Sequence, residues 1–195
     1  SAPIEWFDRW EDGLATGDLN DDGAQDVVLG TAAGDAMALN GLSGEVLWTY
    51  AVPNTNTSVN VDIIDVDGNG SLDIVAGGKA SSGNTTIVAL NKDGSLKWQV
   101  NGDYQETTDL AYGDINHDGA SDVAAAIGTY PNGGGQVILL DGRNGSRIWD
   151  ANLGSGIAFG IDAKDMDGDG DMEIAVTNYN NKVFLIDGAT NSILW

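Results

Sequence analysis

The chain has 195 residues, 30 acidic side chains against 8 basic ones, and a formal net charge of −22. Holding a phosphate backbone needs clustered Lys and Arg, so this balance excludes nucleic-acid binding. The absence of cysteine excludes a disulfide framework and any Cys-ligated zinc or iron–sulfur site. An apolar fraction of 42% is nevertheless enough for a real core, which separates this acidity from that of a disordered chain.

The first residues, SAPIEWFDRW, carry neither a basic n-region nor an apolar h-region, and read as the start of a mature or excised segment. The longest apolar runs are about five residues, such as VAAAI at 123–127, far short of the 18 or more of a membrane span. A pattern then recurs four times. A short strand (LATG, VDII, LAYG, IDAK) leads into an acidic stretch: DLNDDGAQD from Asp18, DVDGNGSLD from Asp65, DINHDGASD from Asp114 and DMDGDGDME from Asp165. A strand leaves each stretch (DVVLGT, DIVAGG, DVAAAIG, EIAVTN), and another follows at 35–40, 86–91, 136–141 and 182–187. After a Gly- or Asn-rich turn, a last strand ends at Trp48, Trp98, Trp149 and Trp195. The repeats run over approximately 7–48, 49–98, 99–149 and 150–195, within a single domain or segment, 1–195.

The four acidic stretches hold 15 of the 30 acids in 36 residues, so the charge is concentrated. Positions 1, 3, 5 and 9 of each bear side-chain oxygens: Asp18, Asn20, Asp22 and Asp26; Asp65, Asp67, Asn69 and Asp73; Asp114, Asn116, Asp118 and Asp122; Asp165, Asp167, Asp169 and Glu173. Calcium takes six to eight oxygens, and a tight loop turns alternate side chains inward. Glycine at position 6 permits a sharp turn that brings in a backbone carbonyl at position 7, namely Ala24, Ser71, Ala120 or Asp171. About four calcium ions are therefore expected. An EF-hand would continue to a bidentate Glu at position 12 between helices. Here position 12 is Leu29, Ala76, Ala125 or Val176, and strands follow, so the EF-hand reading fails.

Strands such as KVFLID are apolar on both faces and must be covered on both sides. About four short strands per repeat of roughly 49 residues, without an amphipathic helix, point to an all-β fold: a β-propeller of about four four-stranded blades, or part of a seven- or eight-bladed ring. The acidic loops resemble the calcium loops of FG-GAP repeats, found in integrin α-chain propellers. The segments ALNGLSGEVLW (38–48), LLDGRNGSRIW (139–149) and LIDGATNSILW (185–195) resemble the tryptophan-docking motif of quinoprotein propellers. That resemblance implies that Trp48, Trp98, Trp149 and Trp195 are structural, each packing over the glycine-containing turn of the next blade. Trp6 fits the same slot, while Trp10 has no counterpart.

No nucleophile elbow, P-loop, HExxH or Rossmann fingerprint occurs. The one histidine, His117, has no partner in evident register and reads as a surface residue. The resulting expectation is a non-catalytic, calcium-binding extracellular or cell-surface module for adhesion, with a protein or glycan ligand, and with no nucleic acid and no membrane span. Calcium near millimolar occurs outside cells, which suggests export. The insertions at 79–86 and 128–135 are candidate ligand loops. The propeller portion of a secreted polysaccharide lyase or quinoprotein-type dehydrogenase is the alternative, as is a structural spacer. Further blades or a homodimer are expected to complete the ring.

Overall fold

The computed structural model describes residues 13–57, 59–80, 83–103, 105–129 and 133–195. Trp6, Trp10 and Tyr130 lie outside them. Sixteen strands and no helix occur among the described residues, arranged as four antiparallel four-stranded sheets in strict chain order. The all-β propeller architecture expected from the repeats is what the chain adopts.

The chain divides into two compact units, residues 1–65 with 70–107, and residues 66–69 with 108–195. In the first unit, one sheet comprises β1 (Leu14–Gly17), β2 (Asp26–Gly30), β3 (Asp35–Leu39) and β4 (Val46–Ala51). The next comprises β5 (Val59–Ile64), β6 (Asp73–Gly78), β7 (Thr86–Asn91) and β8 (Leu96–Asn101). Their facing side chains form one apolar layer, with Val28, Ala36 and Ala38 against Ile74, Ala76, Val88 and Leu90. Close approach is enforced at Gly30, where an added Cβ would run into the carbonyl of Val59.

The second unit repeats the plan. It holds β9 (Glu106–Gly113, whose first two residues belong to the first unit), β10 (Asp122–Gly128), β11 (Gly134–Leu140) and β12 (Arg147–Ser155). Its other sheet is β13 (Ala158–Lys164), β14 (Glu173–Asn178), β15 (Val183–Asp187) and β16 (Ser192–Ile193). Its core sets Ala124, Ala126, Val137 and Leu139 against Ile174, Val176 and Ile186.

Doubly apolar strands are covered on both faces where their sequence demands it: β6 and β10 are buried along their whole length, and β7 and β11 nearly so. The tryptophan strands run further than the sequence pattern suggests. β4, β8 and β12 continue past Trp48, Trp98 and Trp149, because the early residues of the preceding strand still need partners, as Asp35 finds Ala51 and Thr86 finds Asn101.

A bulge recurs just before three of these tryptophans. Leu39 pairs with Val46 while Ala38 pairs with Trp48, leaving Leu47 as the extra residue. Lys97 and Ile148 are the extra residues in the second and third sheets. A bulge bends the strand and re-aims the next side chain. The turns before the bulges use left-handed residues at the same place: Gly44, Gly94 and Gly145, and Asn191 in the fourth repeat.

Candidate metal centres and blade contacts

Each acidic stretch is a tight turn between the first and second strands of its sheet. The glycine at position 6 has positive φ in all four, at 86° for Gly23, 84° for Gly70, 87° for Gly119 and 100° for Gly170. The carboxylate at position 1 accepts that glycine's N–H in every loop: Asp18 from Gly23 at 3.0 Å, Asp65 from Gly70 at 2.8 Å, Asp114 from Gly119 at 3.1 Å and Asp165 from Gly170 at 3.1 Å. Position 9 anchors the other end. Asp26, Asp122 and Glu173, all buried, accept the N–H of position 2, from Leu19, Ile115 and Met166 respectively, at 2.8–3.0 Å. The amide of position 7 donates to position 5, from Ala24 to Asp22, Ala120 to Asp118 and Asp171 to Asp169. The backbone thus holds the carboxylates in place.

The carboxylates converge in two of the four loops. Asp65, Asp67 and Asp73 each place an oxygen within 4.8 Å of the others, and so do Asp165, Asp167 and Glu173. In the first and third loops, position 3 is Asn rather than Asp. Asn116 turns its amide onto Asp118 and Asp122, at 3.1 and 3.3 Å, and so supplies donors where the other loops have acceptors. Asp169, at position 5 of the fourth loop, stays outside its trio.

Protein cations answer part of the charge, and the sequence pattern did not reveal them. Lys97, the bulge residue of β8, places Nζ 2.8 Å from the buried Asp73. Arg143 grips Asp118 through both terminal nitrogens at 2.8 and 2.6 Å, and also donates to its backbone carbonyl. Lys92 pairs with Asp21. His117 is not partnerless: its Nε2 lies 2.7 Å from Asp171 Oδ1, linking the third and fourth loops. Only a contact between repeats, invisible to spacing within one repeat, supplies that carboxylate.

The carboxyl groups differ accordingly. Asp122 is pushed up to about 6 by burial, against hydrogen bonds from Asn116 and Ile115 and with help from the charges of Asp118 and Asp141. The Ala24 N–H, with Asn20 and Asn40, holds Asp22 below its ordinary value. Desolvation acts to raise Asp118, but the Ala120 N–H, Asn116 and Arg143 outweigh it and lower the group.

Trp48 and Trp149 are structural joints, whereas Trp195, expected to pack in the same way, is 66% exposed. Trp48 Nε1 donates to the carbonyl of Lys92 at 2.9 Å, and its ring lies over Gly94, where an added Cβ would come within 2.7 Å of the indole. Trp149 Nε1 donates to the carbonyl of Gly188 at 2.9 Å, and Asn191 answers by donating to the carbonyl of Asp150. Each joint therefore locks one sheet onto the Gly/Asn turn of the next.

Repeated four-stranded antiparallel sheets, clamped by tryptophan to the neighbouring turn, define a β-propeller repeat protein. Residues 27–195 match the family described as outer membrane protein assembly factor BamB, the PQQ_2 repeats, and the chain belongs to that family. This corrects the FG-GAP resemblance. An acidic Asp/Asn/Gly stretch is a local feature that turn chemistry alone favours, whereas the match extends over residues 27–195, docking segments included. No curated protein matches the chain.

Solved structures similar to it include the exotype rhamnogalacturonan lyase YesX, at 15% identity and a TM-score of 0.66, covering 94% of this chain and 40% of that one. The quinohemoprotein alcohol dehydrogenase ADHIIG from Pseudomonas putida HK5 matches at 14% identity and a TM-score of 0.60, over 87% of this chain and 32% of its own. BamB from Moraxella catarrhalis matches at 19% identity and a TM-score of 0.57, over 94% of this chain and 51% of its own. The chain thus spans about half or less of these three. It covers 95% of the computationally designed Ika4 protein, and that protein 95% of it, at 16% identity and a TM-score of 0.58.

Proposed function

We propose that the chain is a non-catalytic propeller module whose acidic turns bind calcium and which presents its loops to a protein or glycan partner outside the cytoplasm. The observation that carries the reading is the convergence of Asp65, Asp67 and Asp73, and of Asp165, Asp167 and Glu173, each set within 4.8 Å in a turn already ordered by its own amides. Three carboxylates this close repel strongly, and a divalent cation relieves the repulsion. The second and fourth loops bind first. The first and third, with Asn at position 3 and Arg143 on Asp118, bind more weakly. Protein binding also fits the family's description as an assembly factor. Millimolar extracellular calcium fits modest sites of this kind, and so fits export.

Isothermal titration of chelator-stripped protein tests the reading. Two tighter calcium events are expected, one lost in Asp67→Asn and the other in Asp167→Asn. Absence of calcium heat at millimolar concentration would remove the metal from the account. A lyase or a dehydrogenase would instead reveal itself by an unsaturated-uronide product or by the absorbance of a bound quinone, and neither is expected.

A further inference from the structure

The two converging trios are not equivalent. In the fourth loop, no Lys or Arg among the described residues pairs with Asp165, Asp167 or Glu173. In the second, Lys97 Nζ already sits 2.8 Å from Asp73 Oδ2. Among the described residues, Asp73 alone of the four position-9 carboxylates meets a protein cation. Asp26, Asp122 and Glu173 accept N–H groups instead.

The difference comes from one position of the repeat. Lys97 is the bulge residue before its tryptophan, where the first and third sheets carry the aliphatic Leu47 and Ile148. Those two side chains stay at the surface, each residue 38% exposed. A lysine in such a place ordinarily lays its stem on the protein and extends its ammonium to water. Lys97 does the reverse: its side chain is only 11% exposed, and its charge is turned onto a carboxylate that is 1% exposed. Two cations on that one buried carboxylate would repel each other with little water to screen them.

We propose that Lys97 is a resident cation that calcium must displace at the second loop. Its ammonium neutralises Asp73 in the metal-free chain and turns out to solvent when Asp65, Asp67 and Asp73 take a divalent ion. This rests on the calcium reading of the trios given above and adds the control of one of them. The lysine answers one of the three negative charges and calcium answers two, which drives the exchange forward. Lys97 therefore sets the second loop as the weaker site, and the fourth, with no internal cation on its trio, fills first.

Isothermal titration with calcium in an Asp167→Asn background leaves the second loop as the tight site and compares Lys97 with two replacements. Lys97→Met should tighten calcium binding about tenfold or more, because the competing charge is gone. Lys97→Arg, which keeps the charge, should not tighten it. Amine acetylation of the unsubstituted chain, read by mass spectrometry, follows Lys97 itself and decides alone should Lys97→Met not fold in chelator. Labelling of Lys97 should rise severalfold from chelator to millimolar calcium, and the rise should vanish in Asp67→Asn. Calcium heat with unchanged Lys97 labelling would overturn the proposal and leave the calcium reading standing, as would equal affinity in Lys97→Met. Tightening in Lys97→Arg as large as in Lys97→Met would overturn it too, since charge would then not be the cause. No calcium heat in the unsubstituted chain would overturn both.

Discussion

Lys97→Met isolates the charge problem at the second acidic turn. Lys97 lies 2.8 Å from an Asp73 that is only 1% exposed, so the pair is buried. At an effective dielectric of about 20 the attraction is worth roughly 6 kcal/mol, much of it offset by desolvation of both groups. Removing one partner of such a pair costs about 3–5 kcal/mol, because the other charge stays buried. For a chain of this length that lowers the melting temperature by roughly 6–20 °C. Calcium is expected to change the result, since a cation held by Asp65, Asp67 and Asp73 would supply the missing positive charge. In chelator the full loss is expected in differential scanning calorimetry. In millimolar calcium the loss should shrink to about a third or less. An equal loss in both conditions would refute the reasoning, as would a negligible loss in chelator.

Other predictions concern the joints, the packing and the pH response. Trp48→Phe keeps most of the ring but deletes the hydrogen bond to Lys92, and should cost about 1 kcal/mol in urea denaturation, against about 3 kcal/mol for Trp48→Ala. Gly30→Ala drives a methyl group into the Val59 carbonyl, and should cost at least about 2 kcal/mol by the same measurement. Asp122 is raised from 3.8 to about 6 in the folded chain, so the folded state holds this proton more tightly than the unfolded one. Its contribution is fully present below about pH 4 and is lost as pH rises through 6, a span worth up to about 3 kcal/mol. Metal-free protein should therefore gain stability from this group between pH 7 and 5, and Asp122→Asn should flatten that slope in denaturation curves taken across the range. Asp22 and Asp118, both lowered, titrate below this window.

The fold was legible because each repeat states its strands twice, once as apolar runs and once as the turns between them. LATG, DVVLG, DAMAL and the strand through Trp48 all lie where the pattern places them. The glycines at position 6 were legible for the same reason, since only a left-handed residue makes that turn. The bulge residues Leu47, Lys97 and Ile148 were not, because a bulge leaves the periodicity of its strand almost intact. Nor were Lys97 on Asp73 or His117 on Asp171, since those contacts join residues 24 and 54 positions apart. The four acidic turns look similar in sequence, yet Asp at position 3 marks the two converging trios, while in the third loop Asn116 spends its amide on Asp118 and Asp122. The family itself was misread from those turns, which are shared by chemistry, while the tryptophan segments carried the kinship.

The most direct test of the central claim is the melting temperature of chelator-stripped protein measured with excess EGTA, with millimolar calcium, and with magnesium at the same concentration. A ligand bound only by the folded state stabilises it by mass action, by about 2.7 kcal/mol at a hundredfold excess over Kd for one site. Two sites of that strength should raise the midpoint by roughly 10 °C or more in calcium, and by much less in magnesium, which gives up its water reluctantly. Identical melting curves in EGTA and in calcium would contradict the account.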